Sequence, residues 1–132
     1  MADFTLPITS LAAVATGVIY LILTWRVIRM RRADGIVLGD NGDRIMEKRI
    51  RGHANAAEQM PMALIVMALT ELQGGNGMAL AILAALFTLG RALHAIYFTR
   101  HGTHWRFRMW GMSATLIAQA GLLVLLTVTA RT

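Results

Sequence analysis

The stretch Arg51-Gly-His-Ala-Asn55-Ala-Ala-Glu58 runs straight into the apolar segment Met60 to Leu69. At about 100° per residue, Arg51, Asn55 and Glu58 share a roughly 60° arc of one helix face, and His53 points almost the opposite way. A cation, an amide and a carboxylate thus lie on one stripe of a helix whose continuation suits hydrocarbon. Such a stripe has to be paired inside a bundle or used to hold a polar ligand, because a bare charge at membrane depth is too costly.

Working outward, the 132-residue chain is 56% hydrophobic with a mean hydropathy of +0.55. That exceeds the roughly 45–50% of soluble domains and marks a membrane protein. Leu6 to Trp25 is 20 residues without a charge and Met109 to Ala130 is 22, each enough to cross a hydrocarbon core of about 30 Å. Gln59 to Thr70 and Met78 to Gly90 are uncharged for only 12 and 13 residues. They reach full length once their polar flanks are included, at about 52–72 and 78–98. The expected fold is all-α: an integral membrane antiparallel four-helix bundle, one domain over residues 1–132, with helices at about 6–30, 48–72, 78–99 and 106–130. A soluble all-α bundle fits poorly, since two uninterrupted apolar runs leave no polar face for water. The first run has no basic segment before it and no small-x-small cleavage site after it, so it is expected to be retained as a span. With no cysteine in the chain, any thiol chemistry must use a substrate's sulfur.

Charge placement orients the bundle. Arg26, Arg29, Arg31, Arg32, Arg44, Lys48, Arg49 and Arg51 lie in or beside the first connection, and Arg91, Arg100, Arg106 and Arg108 flank the third. Of the 13 basic residues only Arg131 sits at the other side. By the positive-inside rule both connections face the cytoplasm, both termini and the Glu71 to Gly77 turn lie opposite, and a multi-pass protein of the cell inner membrane is expected. The net charge of +6 and pI near 11.3 do not point to nucleic acid, because the basic residues are spread over membrane edges. Membrane lipids with anionic headgroups are the expected partners, and Trp25, Trp105 and Trp110 suit the interfacial belt. The first connection, Arg31 to Lys48, carries the turn signals Asp34-Gly35 and Gly39-Asp-Asn-Gly-Asp43 but not the terminal glutamate of a calcium loop, and reads as solvated. The glycine-rich turn Gln73-Gly-Gly-Asn-Gly77 has no evident chemistry, and His53, His101 and His104 lack the spacing of a metal site.

On the third helix Arg91 and His94 are three residues apart on one face, Phe98 continues that stripe, and Tyr97 stands about one sixth of a turn from His94. Arg108 opens the fourth helix, and Arg26 and Arg29 end the first. The minimal reading is a set of snorkelling arginines and one buried Glu–Arg pair fixing helix register. Against it, several arginines around the single carboxylate of Glu58 leave an excess of positive charge, which favours an anionic ligand.

Three motifs carry a resemblance. Glu47-Lys-Arg-Ile-Arg51-Gly-His-Ala-Asn55-Ala-Ala-Glu58-Gln-Met-Pro61 resembles the second-helix signature of the MAPEG family, the membrane-associated proteins in eicosanoid and glutathione metabolism. Gly90-Arg91-Ala-Leu-His94 is similar to the third-helix motif of its prostaglandin E synthase branch, and Arg108-Met-Trp-Gly111-Met112-Ser-Ala-Thr115 to the start of its fourth helix. The compact first connection is most like the short bacterial branch. The resemblance implies a homotrimer with a glutathione site between neighbouring subunits, opening to the cytoplasmic leaflet. Arg51, Asn55 and Glu58 would hold the peptide and charged ends of glutathione, Arg91, His94 and Tyr97 would line the site, and Arg26 or Arg29 would reach in from the first helix. Arg108 would be the catalytic residue, aimed at the sulfur. Gln59 stands where many members have tyrosine, and Phe98 where several have tyrosine, with Tyr97 one position earlier; both departures bear on eicosanoid chemistry more than on the glutathione pocket.

The resulting expectation is a glutathione-dependent transferase or peroxidase acting on lipophilic electrophiles or hydroperoxides, with glutathione as co-substrate. The alternatives are a non-catalytic lipid or small-anion binding protein, and a small transporter or channel subunit in which Glu58 and His94 relay protons. The last is disfavoured because the polar groups gather in one half of the bundle.

Overall fold

Helix ends in this chain are set by a handful of polar side chains and one left-handed glycine. The computed structural model describes residues 5–131 and places α1 at Pro7–Asp34, α2 at Arg44–Leu72, α3 at Gly77–Thr99 and α4 at Arg106–Thr129. Proline at the first turn opens α1, where a missing N–H is no loss. Gly35 closes it at φ 65°, and the amides of Gly35 and Ile36 both return to the Arg31 carbonyl. The Asp43 carboxylate caps α2 by accepting from the Ile45 and Met46 amides at 2.7 and 3.3 Å, and Asn76 caps α3 by accepting from the Ala79 amide at 3.0 Å.

These ends correct two expectations. α1 continues past residue 30 to Asp34, and α2 begins at Arg44 rather than near residue 48. The polar stretch Arg31 to Lys48 is therefore two helix ends joined by a short connection, 35–43. The outer turn has a local task, since Asn76 starts α3.

Contacts between helix ends give the topology. Glu71, in the last turn of α2, accepts from the amides of Ile8 and Thr9 in the first turn of α1, both at 2.9 Å, so α1 and α2 are antiparallel. Arg26, toward the other end of α1, donates to the carbonyl of Thr99, the last residue of α3, so α1 and α3 run the same way. Gly111 of α4 lies against His94 of α3 and Gly121 against Leu83, so that pair is antiparallel. α2 and α3 each touch all the other helices, whereas α1 and α4 do not meet among the described residues. The section is a diamond with α2 and α3 across its short diagonal.

α1, α3 and α4 are each long and apolar enough to cross a bilayer. α2 falls outside that group, because Glu58, Gln59 and Glu71 dilute its apolar run, yet its 29 residues make about 43 Å of helix. One end lies beside the start of α1 through Glu71 and the other beside its end through Ile45 and Arg49, so α2 runs the full depth with its neighbours. Met67, Leu80, Phe87, Ala118 and Leu122 are fully buried, while Leu11, Val14, Leu21 and Trp25 of α1 and Ile117, Val124 and Val128 of α4 are more than half exposed. Large apolar side chains turned outward around a bundle of this length form a lipid-facing surface.

Glycine permits the closest approach. A Cβ on Gly111 would stand 2.5 Å from the His94 amide nitrogen and 2.8 Å from the Gly90 carbonyl oxygen, and one on Gly90 would stand 2.9 Å from the Gly111 oxygen and the Thr115 nitrogen. These are backbone atoms that cannot yield alone. Gly111→Ala is expected to push α3 and α4 apart and lower stability by about 1–3 kcal/mol, read as a lower melting temperature of the detergent-purified protein. Glu71 allows a second expectation: no side chain of α1's own N-cap residue bonds that helix start, so Glu71→Ala leaves two amides unpaired at a positive helix end and should cost about 1–2 kcal/mol, with Glu71→Gln recovering part of it.

Candidate functional site

α2, α3 and α4 enclose a cavity of about 420 Å³ at the arginine-rich end of the bundle, lined by Arg44, Glu47, Lys48, Arg51, Asn55, His94, Tyr97, Phe98 and Arg108. It falls within the size range of small-molecule sites, about 300–1,000 Å³. The α2 contributors, at positions 44, 47, 48, 51 and 55, recur at three- and four-residue spacing and so share one helix face. The charges are unequal: Arg44, Lys48, Arg51 and Arg108 face one carboxylate, Glu47. Such a cavity suits a ligand with more negative than positive groups.

Its floor is aromatic. Phe98 is buried, packs at 4.7 Å between ring centroids on His94, and meets Tyr97 edge-on at 5.0 Å. Gly52 of α2 makes room for it, since a Cβ there would stand 2.5 Å from the Phe98 Cβ. Lys48 Nζ rests 3.8 Å above the Tyr97 ring, and the Arg108 guanidinium carbon is 6.0 Å from the Phe98 centroid. Both cations are thereby held over the floor with their donors free to meet a ligand.

Beneath the cavity Arg91 is 2% exposed. Its Nε donates to Thr115 Oγ1 at 2.9 Å, one terminal nitrogen donates to Asn55 Oδ1 at 2.8 Å, and the other approaches Met112 Sδ at 3.6 Å. One guanidinium thus joins α2, α3 and α4 and fixes the Asn55 amide with its oxygen turned inward. The minimal expectation of a buried Glu–Arg pair does not hold, because the acceptors around Arg91 are an amide, a hydroxyl and a thioether.

Of the residues singled out from the sequence, Arg51, Asn55, His94, Tyr97 and Arg108 line the cavity together, with Arg91 directly below. Glu58 does not: on the same stripe of α2, it turns toward a separate hollow of about 260 Å³ against α4, among Gln59, Met62, Gln119 and Leu123. There the Gln119 amide donates to the Gln59 carbonyl at 3.1 Å, and Glu58 is exposed, with no bond to another described residue. Arg26 and Arg29 also lie apart, in a cleft between α1 and α2. The proximity a Glu58–His94 proton relay would need is absent within one protomer. Arg44, Glu47, Lys48 and Phe98 complete the cavity without having been singled out as site residues. For the first three the signal was available, since they continue the Arg51–Asn55 face one and two turns toward the helix start.

The comparisons with known proteins agree on a family. Residues 9–128 match the model of the MAPEG family. The chain belongs to the MAPEG family. It is also similar to the inner membrane protein YecN of Escherichia coli K12 and to YecN of Escherichia coli O6:H1, each 31% identical over 111 residues that cover 84% of this chain and 83% of the relative. With three helices apolar enough to cross a bilayer, this MAPEG protein is a multi-pass inner-membrane protein, and the bundle end that carries the cavity is the one that charge placement assigns to the cytoplasm.

Proposed function

We propose that this MAPEG protein is a glutathione-dependent transferase or peroxidase of the detoxification type, with the α2–α3–α4 cavity as its thiol site. The observation that carries the reading is the convergence, from three helices, of Arg51, Asn55, His94, Tyr97 and Arg108 on one cavity with four cations and one carboxylate. Glutathione has two carboxylates, one ammonium and a thiol. Arg44, Arg51 and Lys48 suit its carboxylates, Glu47 its ammonium, and Asn55, held by Arg91, its peptide groups.

Arg108 is the catalytic residue in this reading. A guanidinium beside the thiol favours the thiolate, the nucleophilic form. The thiolate forms a carbon–sulfur bond with a lipophilic electrophile while the leaving group departs with the bonding electron pair, and the thiol proton passes to water. Holding both partners at the membrane edge supplies proximity. With a hydroperoxide the same thiolate attacks the outer peroxide oxygen, the O–O bond breaks, and the alkoxide takes up a proton and leaves as the alcohol. The thiol of a second glutathione then displaces water from the resulting sulfenic acid to close the disulfide.

Self-association belongs to the same proposal. Glu58 lies 13 residues from Glu71, about 20 Å along the helix, and so within the hydrocarbon depth, where an exposed carboxylate is too costly to leave against lipid. A neighbouring copy covers that face of α2 in the proposed homotrimer, and its Arg26 supplies the missing cation.

Calorimetry with glutathione on the detergent-purified protein tests the reading, followed by conjugation of an aromatic halide in the same sample. Saturable binding with turnover, and loss of binding in Arg51→Ala, are the expected results. Binding without turnover would leave only the binding-protein alternative, and no binding would refute the site.

A further inference from the structure

Outside the thiol cavity a cleft of about 760 Å³ lies between the arginine-rich ends of α1 and α2. Leu21, Ile22 and Trp25 form its membrane end and are 65, 49 and 59% exposed. Arg26 and Arg29 follow on the same face of α1, with Asp34 at the surface, and Arg49 stands across from them on α2. The cleft is therefore apolar at one end and carries three arginines against one aspartate at the other.

Neither Arg29 nor Arg49 has a hydrogen bond or carboxylate partner among the described residues. Arg26 gives one nitrogen to the Thr99 carbonyl, but its buried Nε has none. Beyond Asp34, the described residues around the cleft supply no counter-ion. A second hollow, of about 570 Å³, shares Ile45 and Arg49 with the cleft and adds Arg44, Lys48 and Arg100 without any acidic residue.

We propose that this cleft binds one anionic phospholipid of the cytoplasmic leaflet, its phosphate on Arg29 and Arg49 and one acyl chain along Leu21, Ile22 and Trp25. Basic clefts between helices at the cytoplasmic edge suit such headgroups. Ile22 and Leu21 lie four and five residues deeper than Arg26, about 6–8 Å at 1.5 Å per residue, where a soluble phosphate leaves them uncovered and a lipid chain does not. A zwitterionic headgroup would bring its own cation into a site that already has an excess. The inference does not depend on the thiol chemistry.

Native mass spectrometry of the protein from detergent micelles containing dioleoyl phosphatidylglycerol or dioleoyl phosphatidylcholine tests it. Retention of one phosphatidylglycerol per protomer and no phosphatidylcholine is expected, with retention reduced about thirtyfold in Arg29→Gln/Arg49→Gln and unchanged in Arg131→Gln at the opposite end. A wild-type melting temperature for the double variant excludes misfolding. Equal retention of the two lipids, unchanged retention in the double variant, or displacement of the lipid by millimolar inorganic phosphate would overturn the proposal. So would a double variant that keeps the lipid but loses glutathione binding, since its arginines would then serve a neighbour's thiol cavity.

Discussion

Replacing Arg108 by alanine is expected to lower glutathione conjugation by about a hundredfold or more while leaving glutathione affinity within a few-fold. Arg108 is exposed at the mouth of the cavity, with its guanidinium carbon 6.0 Å from the centre of the Phe98 ring, and no described acceptor neutralises it. A free, positioned cation acts most on charge that develops at the reacting atom, and removing one such group typically costs a factor of about 10²–10³ in rate. In the proposed site binding rests instead on Arg51, Lys48 and Asn55, which remain. The measurement is steady-state kinetics against an aromatic halide, with kcat falling and KM for glutathione little changed. A loss confined to KM would move Arg108 from the reacting sulfur to a carboxylate.

Arg91 separates stability from function more sharply. It is almost wholly buried and bonded to neutral acceptors only, so its charge is carried into the bundle at a desolvation cost that no carboxylate offsets. Arg91→Ala leaves a void at the junction of three helices and an unpaired Asn55 oxygen, and should lower stability by about 2–5 kcal/mol. Arg91→Met fills most of that volume without the charge and is expected to melt at or above the wild-type temperature. The same Met variant should bind glutathione at least about tenfold more weakly, because Asn55 is no longer held and a cation below the site is gone. Thermal unfolding and calorimetry on both variants check this. A Met variant that binds normally would make Arg91 a structural residue alone.

Much of this architecture is legible in the sequence, and the parts that are not share a cause. The uncharged runs Leu6 to Trp25 and Met109 to Ala130 mark α1 and α4 because their length and polarity are local properties. The Arg51–Asn55 face and the Arg91–His94 spacing are likewise local, and the fold brings both faces to one cavity. What the sequence withholds is which distant groups meet. Glu71 looks like a residue of an outer turn until Ile8 and Thr9 arrive against it. Gly90 and Gly111 look like ordinary small residues until their backbones touch. Glu58 shares a stripe with Asn55, yet a modest angular difference on a helix wedged between two others turns one toward the cavity and the other outward.

Ultraviolet difference spectroscopy of glutathione titrated into the detergent-purified protein at neutral pH shows whether the proposed α2–α3–α4 site holds glutathione with its thiol ionised beside Arg108. A saturable thiolate band is expected with the wild-type protein, and none with Arg108→Ala although calorimetry still registers binding. Saturable binding without a thiolate band in the wild type, or a band that persists in Arg108→Ala, would contradict that proposal.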